Sequence, residues 1–188
     1  MINKIKITCL SKAEEYSFSN GKDYNVWISA VDVDDKKKVE RMRKNFRQKG
    51  VNYFSQHFYD WSDEDSAQWG HLEPGGPQKY HIQNIITFLR PFTEDERAHT
   101  LGVNCFAGIS RSTAIGIIAL VMSERTVEQA LTEILKARPE AWPNLRILGF
   151  GSEILGIDIK TYVTDWKKRC NLEGDLWVPN RMQPHEIQ

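Results

Sequence analysis

The run Leu101-Gly-Val-Asn-Cys105-Phe-Ala-Gly-Ile-Ser-Arg111-Ser-Thr113, continued by Ala114-Ile-Gly-Ile-Ile-Ala-Leu-Val-Met122, decides the fold of this chain. Its first part, Leu101 to Val103, is apolar and strand-like. Its last part, Thr113 to Met122, is apolar and helix-like. Between them lies a short loop carrying a cysteine, a glycine, an arginine and a hydroxyl residue. A loop that leads from a strand into a helix N-terminus is a ready anion site, because its N–H groups converge and the helix dipole favours negative charge. A cysteine at the base of such a loop is expected as a thiolate. An arginine at the far end holds two oxygens of a phosphate in a fork. Given the composition, Cys-x5-Arg with the inner glycine and the following hydroxyl arises by chance roughly once in a thousand chains.

Working outward, elements of both kinds alternate. Ile2 to Leu10 reads as a strand. Ser11 to Glu14 is a capping-box pattern that opens a short helix through Phe18. Val26 to Val31 is a buried strand, and Lys36 to Lys49 a helix with Val39, Met42 and Phe46 inward, begun by Asp34 and Asp35. Val51 to Tyr59 is an aromatic-rich strand. Asp60 to Pro77, with Gly70, Pro74, Gly75 and Gly76, is a long loop of the kind that is usually functional. Gln78 to Arg90 is an amphipathic helix, and Pro91 to Thr100 a polar connector. After the signature, Thr126 to Gln129 is a capping box for a helix through about Ala137. Asn144 caps another through about Leu155, and Ile157 to Cys170 forms the last. The tail from Gly174 lacks periodicity. Such alternation argues one α/β domain over residues 1–188, with the signature loop at a strand's C-terminal end, where ligands sit in open α/β sheets.

Composition sets the class. A chain of 188 residues, 40% hydrophobic and 27% charged, fits one globular domain with a sizeable core. Zero formal net charge gives no global field for nucleic acid. No apolar run approaches a membrane span, and the alternating N-terminus is not an apolar signal segment. Three cysteines, Cys9, Cys105 and Cys170, read as free thiols of a reducing, cytoplasmic compartment; Cys9 and Cys170 read as simply buried, with a resolving role for an oxidised Cys105 as the functional alternative. His57, His71, His81 and His99 lack metal-ligand spacing. The basic run Lys36-Lys-Lys, Arg41, Arg43, Lys44, Arg47, Lys49 reads as a solvated helix face, with steering of anionic substrates as its functional alternative.

Cys105-Phe-Ala-Gly-Ile-Ser-Arg111-Ser112-Thr113 resembles the signature loop of the cysteine-dependent protein tyrosine phosphatases, most closely their compact dual-specificity branch. That loop reads His-Cys-x5-Arg-Ser/Thr. The match departs at Asn104, which stands where the family has histidine; an asparagine can still donate a hydrogen bond. The likeness spans about Val26 to Leu155, and Arg138 to Asn144 is similar to the family's connection into its later helices. It implies a central four- or five-stranded sheet with helices on both faces.

The resemblance also implies the chemistry. Cys105 attacks phosphorus, the N–H groups of Phe106, Ala107, Gly108, Ile109, Ser110 and Arg111 with the Arg111 guanidinium hold the oxygens, and Ser112 helps the sulfur leave. No metal or other cofactor is called for. The acid comes from an aspartate after a strand that neighbours the signature strand. Asp60, in His57-Phe-Tyr-Asp60-Trp, is the first choice, and Asp63 and Asp65 are alternatives further along the same loop. Trp61 and Trp69 are candidates to flank the substrate. In the family, lysines inside the loop accompany phosphoinositides. This loop has none, which leans towards phosphotyrosine, phosphoserine or phosphothreonine in a protein, or another simple phosphomonoester. A phosphate-binding interaction module, and a phosphatase for an inositol phosphate or a nucleic-acid 5′ end, are the competing readings.

Overall fold

The computed structural model describes residues 1–19, 23–61 and 75–172. Four parallel strands form one sheet: β1 (Ile2–Cys9), β2 (Val26–Val31), β3 (Asn52–His57) and β4 (His99–Cys105), in the order β1-β4-β2-β3. The helices are α1 (Leu10–Phe18), α2 (Lys36–Gln48), α3 (Lys79–Thr93), α4 (Arg111–Met122), α5 (Val127–Ala137), α6 (Leu145–Leu155) and α7 (Ile159–Leu172), with a 3-10 turn at Val33–Asp35. Parallel pairing requires a crossover between strands, and α1, α2 and α3 supply the three crossovers.

The two central strands carry the sheet's hydrophobic load. Every residue of β2 is buried, as is β4 from Leu101 onward. That continuous burial explains why Val26-Trp-Ile-Ser-Ala-Val31 is apolar throughout instead of alternating. Side chains still divide by the two-residue period. Val26, Ile28, Leu101 and Val103 face the large core made with α3 to α7. Trp27 and Val31 face a smaller core with Leu10 and Ala13 of α1 and Val39, Met42 and Phe46 of α2. Trp27 stacks on Phe46 with ring centres 4.6 Å apart, and Phe46 stacks on Tyr53 at 5.6 Å. Helices on both faces of a four-stranded sheet are the expected architecture.

Several boundaries differ from the sequence reading. α1 begins at Leu10 with Cys9 as its N-cap, and no side chain caps it; Ser11 Oγ lies instead 3.2 Å from Cys9 Sγ. α3 runs through Pro91 to Thr93, where a connector was predicted. Pro91 has no N–H to give the carbonyl of Thr87, and the helix ends two residues later at Thr93. α4 starts at Arg111, two residues before the predicted start. The last helix starts at Ile159 and ends at Leu172. Caps carried by a side chain are as expected: Thr126 Oγ1 accepts from Gln129 N–H, and Asn144 Oδ1 from the N–H groups of Arg146 and Ile147. No helix among the described residues is long and apolar enough to cross a membrane.

Candidate active site

β4 delivers Cys105 to the C-terminal edge of the sheet, and α4 takes the chain away from Arg111. The intervening loop is held from outside by its carbonyls. Phe106 O accepts from Leu10 N–H at 3.1 Å, Ile109 O from Trp142 N–H at 2.9 Å and Ser110 O from Asn144 N–H at 3.3 Å. Ala107 O accepts from Arg138 Nη2 at 3.3 Å. With the carbonyls engaged outward, the amide side of the loop turns into the cup. Gly108 N–H lies 3.2 Å from Cys105 Sγ. Gly108 has φ +76°, and a Cβ there would meet the carbonyl carbon of Thr8 at 2.6 Å, so only glycine lets the loop rest on β1.

Cys105 is buried, and its sulfur is also 3.2 Å from Ser112 Oγ. Arg111 is 2% exposed. Its Nη1 donates to Asp32 Oδ1 at 2.7 Å and to Phe58 O at 2.6 Å. That saturates one nitrogen and fixes the guanidinium plane. Nε is buried without a hydrogen-bond partner among the described residues, an orphan donor of the kind that an anion completes. Asp32 directly follows β2, the strand that flanks β4, and the sequence reading missed it. A carboxylate just past the C-terminal end of a buried parallel strand was its one available signal.

Asp60, the first choice for the acid, follows β3, which pairs with β2 and not with β4, so it stands one strand further away than expected. It nevertheless reaches the loop. Asp60 Oδ1 accepts from Ser110 Oγ at 2.7 Å and from Asn144 Nδ2 at 2.9 Å. Its Oδ2 stands 3.6 Å from Arg111 Nε. Asn144, read from sequence only as a helix cap, thus ties two segments: α6 by its oxygen, and Asp60 with the Trp61 carbonyl by its nitrogen. The Ser110 hydroxyl has a role that a backbone-only reading of the loop did not include. Asp63, Asp65, Trp69 and His71 lie outside the described residues.

Asn104 points to the opposite face from Cys105, into the smaller core. Its Oδ1 accepts from Trp27 Nε1 at 2.8 Å and from Ser29 Oγ at 2.7 Å, and Tyr53 OH donates to Ser29 Oγ at 2.8 Å. Asn104 therefore works as an acceptor, and its Nδ2 has no partner among the described residues, contrary to the donor role foreseen. Burial, partly offset by the Ser29 hydrogen bond, pushes the Tyr53 hydroxyl up to about 12, so Tyr53 keeps its proton. Gly102 makes room for this arrangement, since a Cβ there would lie 2.2 Å from the Trp27 ring.

Two flanking groups complete the picture. Cys9 is the register partner of Cys105 across β1 and β4, whereas Cys170 lies on α7. Burial raises the Cys9 thiol, but the Ser11 hydroxyl, nearby backbone N–H groups and the Arg138 charge outweigh it and bring it below the ordinary range. Burial lowers the basicity of His81, whose ring stacks 4.9 Å from that of Phe58.

No protein-family model matches the chain, and no curated protein sequence matches it. Solved structures do. Tk-PTP in its active form is similar with a TM-score of 0.51 at 14% identity, over 85% of this chain and 92% of that one. PTPMT1 is similar with a TM-score of 0.51 at 14% identity, over 88% of this chain and 95% of that one. PTPMT1 in complex with PI(5)P gives 0.50 at 13% identity, over 86% and 93%. The chain has the fold of the cysteine-based protein tyrosine phosphatase superfamily, in its compact dual-specificity-like form.

Proposed function

We propose that this protein is a metal-independent, cysteine-based phosphatase that hydrolyses phosphotyrosine monoesters, with phosphoserine and phosphothreonine as further substrates. One observation carries the reading. Asp60, 50 residues from Ser110 in sequence, is hydrogen-bonded to the loop that holds Cys105 and Arg111. Nucleophile, clamp and acid thus meet at one place.

In the first step the Cys105 sulfur forms a bond to phosphorus as the ester P–O bond breaks, and Asp60 gives its proton to the leaving oxygen. The loop N–H groups and the Nε edge of Arg111 hold the equatorial oxygens as charge develops. In the second step the Asp60 carboxylate takes a proton from water while that water attacks phosphorus. The S–P bond breaks, phosphate leaves, and Ser112 Oγ donates to the departing sulfur. Arginine and backbone dipoles carry the charge compensation throughout.

A second reading takes an inositol phosphate as substrate, and the PI(5)P complex of PTPMT1 favours it. Against it stands the rim of the loop, where the exposed residues are Phe106 and Ala107 and not lysines. The test is turnover of phosphotyrosine peptide, phosphoserine peptide and PI(5)P by wild type and Cys105→Ser. Peptide hydrolysis blocked by vanadate and absent in Cys105→Ser supports the proposal. Full activity in that variant overturns it, and hydrolysis of PI(5)P alone establishes the second reading.

A further inference from the structure

The segment from Lys36 to Lys49 holds eight basic side chains against the single acid Glu40, in a chain of zero net charge. Some of these cations have structural work. Arg41 pairs with Glu14 at 2.8 Å, Arg43 with Glu40 at 2.7 Å, and Lys49 Nζ donates to Ser17 O at 2.6 Å. Lys36, Lys37, Lys44 and Arg47 are exposed and have no ion-pair partner among the described residues. Their placement opposes helix stability. Lys36, Lys37 and Lys38 occupy the first turn of α2, where the dipole disfavours cations. Lys37, Arg41 and Lys44 repel one another at i,i+4 and i,i+3 spacing. A stripe that the helix itself resists calls for a counter-charge from elsewhere.

The stripe approaches the candidate active site at His57. A groove of about 410 Å³ is lined by Lys36, Lys37, Val39, Glu40, Arg43 and His57. A second, of about 580 Å³, is lined by Lys37, Glu40, Arg41 and Lys44, so the two share Lys37 and Glu40. His57 Nδ1 is 3.4 Å from Asp32 O, and the next residue, Phe58, gives its carbonyl to Arg111. The near end of the groove is thus one residue from both acceptors that fix the Arg111 guanidinium.

The chemistry of the stripe selects its occupant. The exposed residues of α2 are Lys36, Lys37, Glu40, Arg41, Lys44, Arg47 and Gln48. None is aromatic, so there is no platform on which bases could stack. None is apolar, so there is no face to sink into a bilayer. From Lys37 to Lys44 the helix rises roughly 10 Å, about the length of three extended peptide residues. Resting on the phosphatase reading, we infer that the exposed face of α2 docks acidic side chains flanking the phosphorylated residue of a protein substrate.

The experiment compares kcat/KM for two phosphotyrosine peptides, one with glutamates and one with lysines on both flanks, and for p-nitrophenyl phosphate. Wild type is set beside Lys37→Glu/Lys44→Glu. Wild type is expected to prefer the glutamate peptide by at least about tenfold, a preference that shrinks from about 50 to about 300 mM salt. The double variant is expected to lose or invert the preference while turning over p-nitrophenyl phosphate normally. Equal kcat/KM for the two peptides in wild type, or an unchanged preference in the variant, overturns the inference. Fluorescence-anisotropy binding of the same peptides to Cys105→Ser, with and without the two α2 changes, reads the stripe independently of catalysis. A wild type that fails to turn over p-nitrophenyl phosphate therefore refutes the phosphatase reading and leaves the binding result to judge the stripe. Stripe-dependent binding to phosphatidylserine vesicles or to a 5′-phosphorylated oligonucleotide, with no peptide preference, also overturns the inference.

Discussion

Asp60→Asn separates the acid from everything else that Asp60 does. In the resting structure Asp60 Oδ1 accepts from Ser110 Oγ and Asn144 Nδ2. An asparagine oxygen can accept both bonds, so the loop keeps its position. What is lost is the contact of Oδ2 with Arg111 Nε, 3.6 Å long and with the Asp60 side chain one-third exposed. A partly solvated pair of that kind is worth about 1 kcal/mol at most, so the variant should melt within a few degrees of wild type. The proton, by contrast, is lost outright. General acid catalysis contributes about 10² to 10⁴ in rate, or about 3–5 kcal/mol of barrier. That loss should depend on the leaving group. kcat/KM for a phosphotyrosine peptide should fall by at least about a hundredfold. kcat/KM for p-nitrophenyl phosphate, whose phenolate leaves without help, should fall by less than about tenfold. The assay is steady-state kinetics on both substrates, with melting temperature as the control. Parallel losses on the two substrates, or none, would refute the assignment and direct attention to Asp63 and Asp65.

Three further outcomes follow from the geometry. Asp32→Ala leaves the buried Arg111 guanidinium with Phe58 O and the longer Asp60 contact; the loss of about 3–5 kcal/mol typical of a broken buried pair is reduced here because Asp32 is 28% exposed, to about 2 kcal/mol. Calorimetry should show a lower melting temperature and kinetics a kcat/KM about tenfold down, with Asp32→Asn in between because its oxygen still accepts from Nη1. Gly102→Ala drives a methyl group to 2.2 Å from the Trp27 ring and should lower the melting temperature by about 10 °C, read by circular dichroism. His81 is held neutral by burial, so its folded value lies below 6.5 and the unfolded chain takes up the proton first. Stability is complete above about pH 6.5 and declines as the pH falls from there towards the folded value; His81→Gln should flatten that limb in urea titrations at different pH.

Short-range signals were the legible ones. Thr126 and Asn144 cap their helices through their own side chains, a bond that sequence spacing states directly. The signature loop was legible for the same reason, since Cys105, Gly108, Arg111 and Ser112 act within one turn. Where no side chain caps a helix the start was placed too late: at Leu10 the Ser11–Glu14 capping-box pattern misled, and at Arg111 the start was judged from apolar spacing. The Asp32–Arg111 pair spans 79 positions and exists because β2 lies beside β4. Nothing local to either residue encodes that strand order. Asn104 illustrates the same limit from the other side. Its partner Trp27 is 77 positions away, and only the sheet shows why an acceptor is wanted there.

Of the twelve residues in α4, eleven are buried, Arg111 and Ser112 among them. The helix that starts at Arg111 also lies within the larger core. It has no solvated face along which a first turn could fray independently. Protection of its amides against hydrogen exchange should therefore match that of the slowest strands. A substitution that weakens this core should therefore loosen Arg111 as well, because both belong to one buried helix.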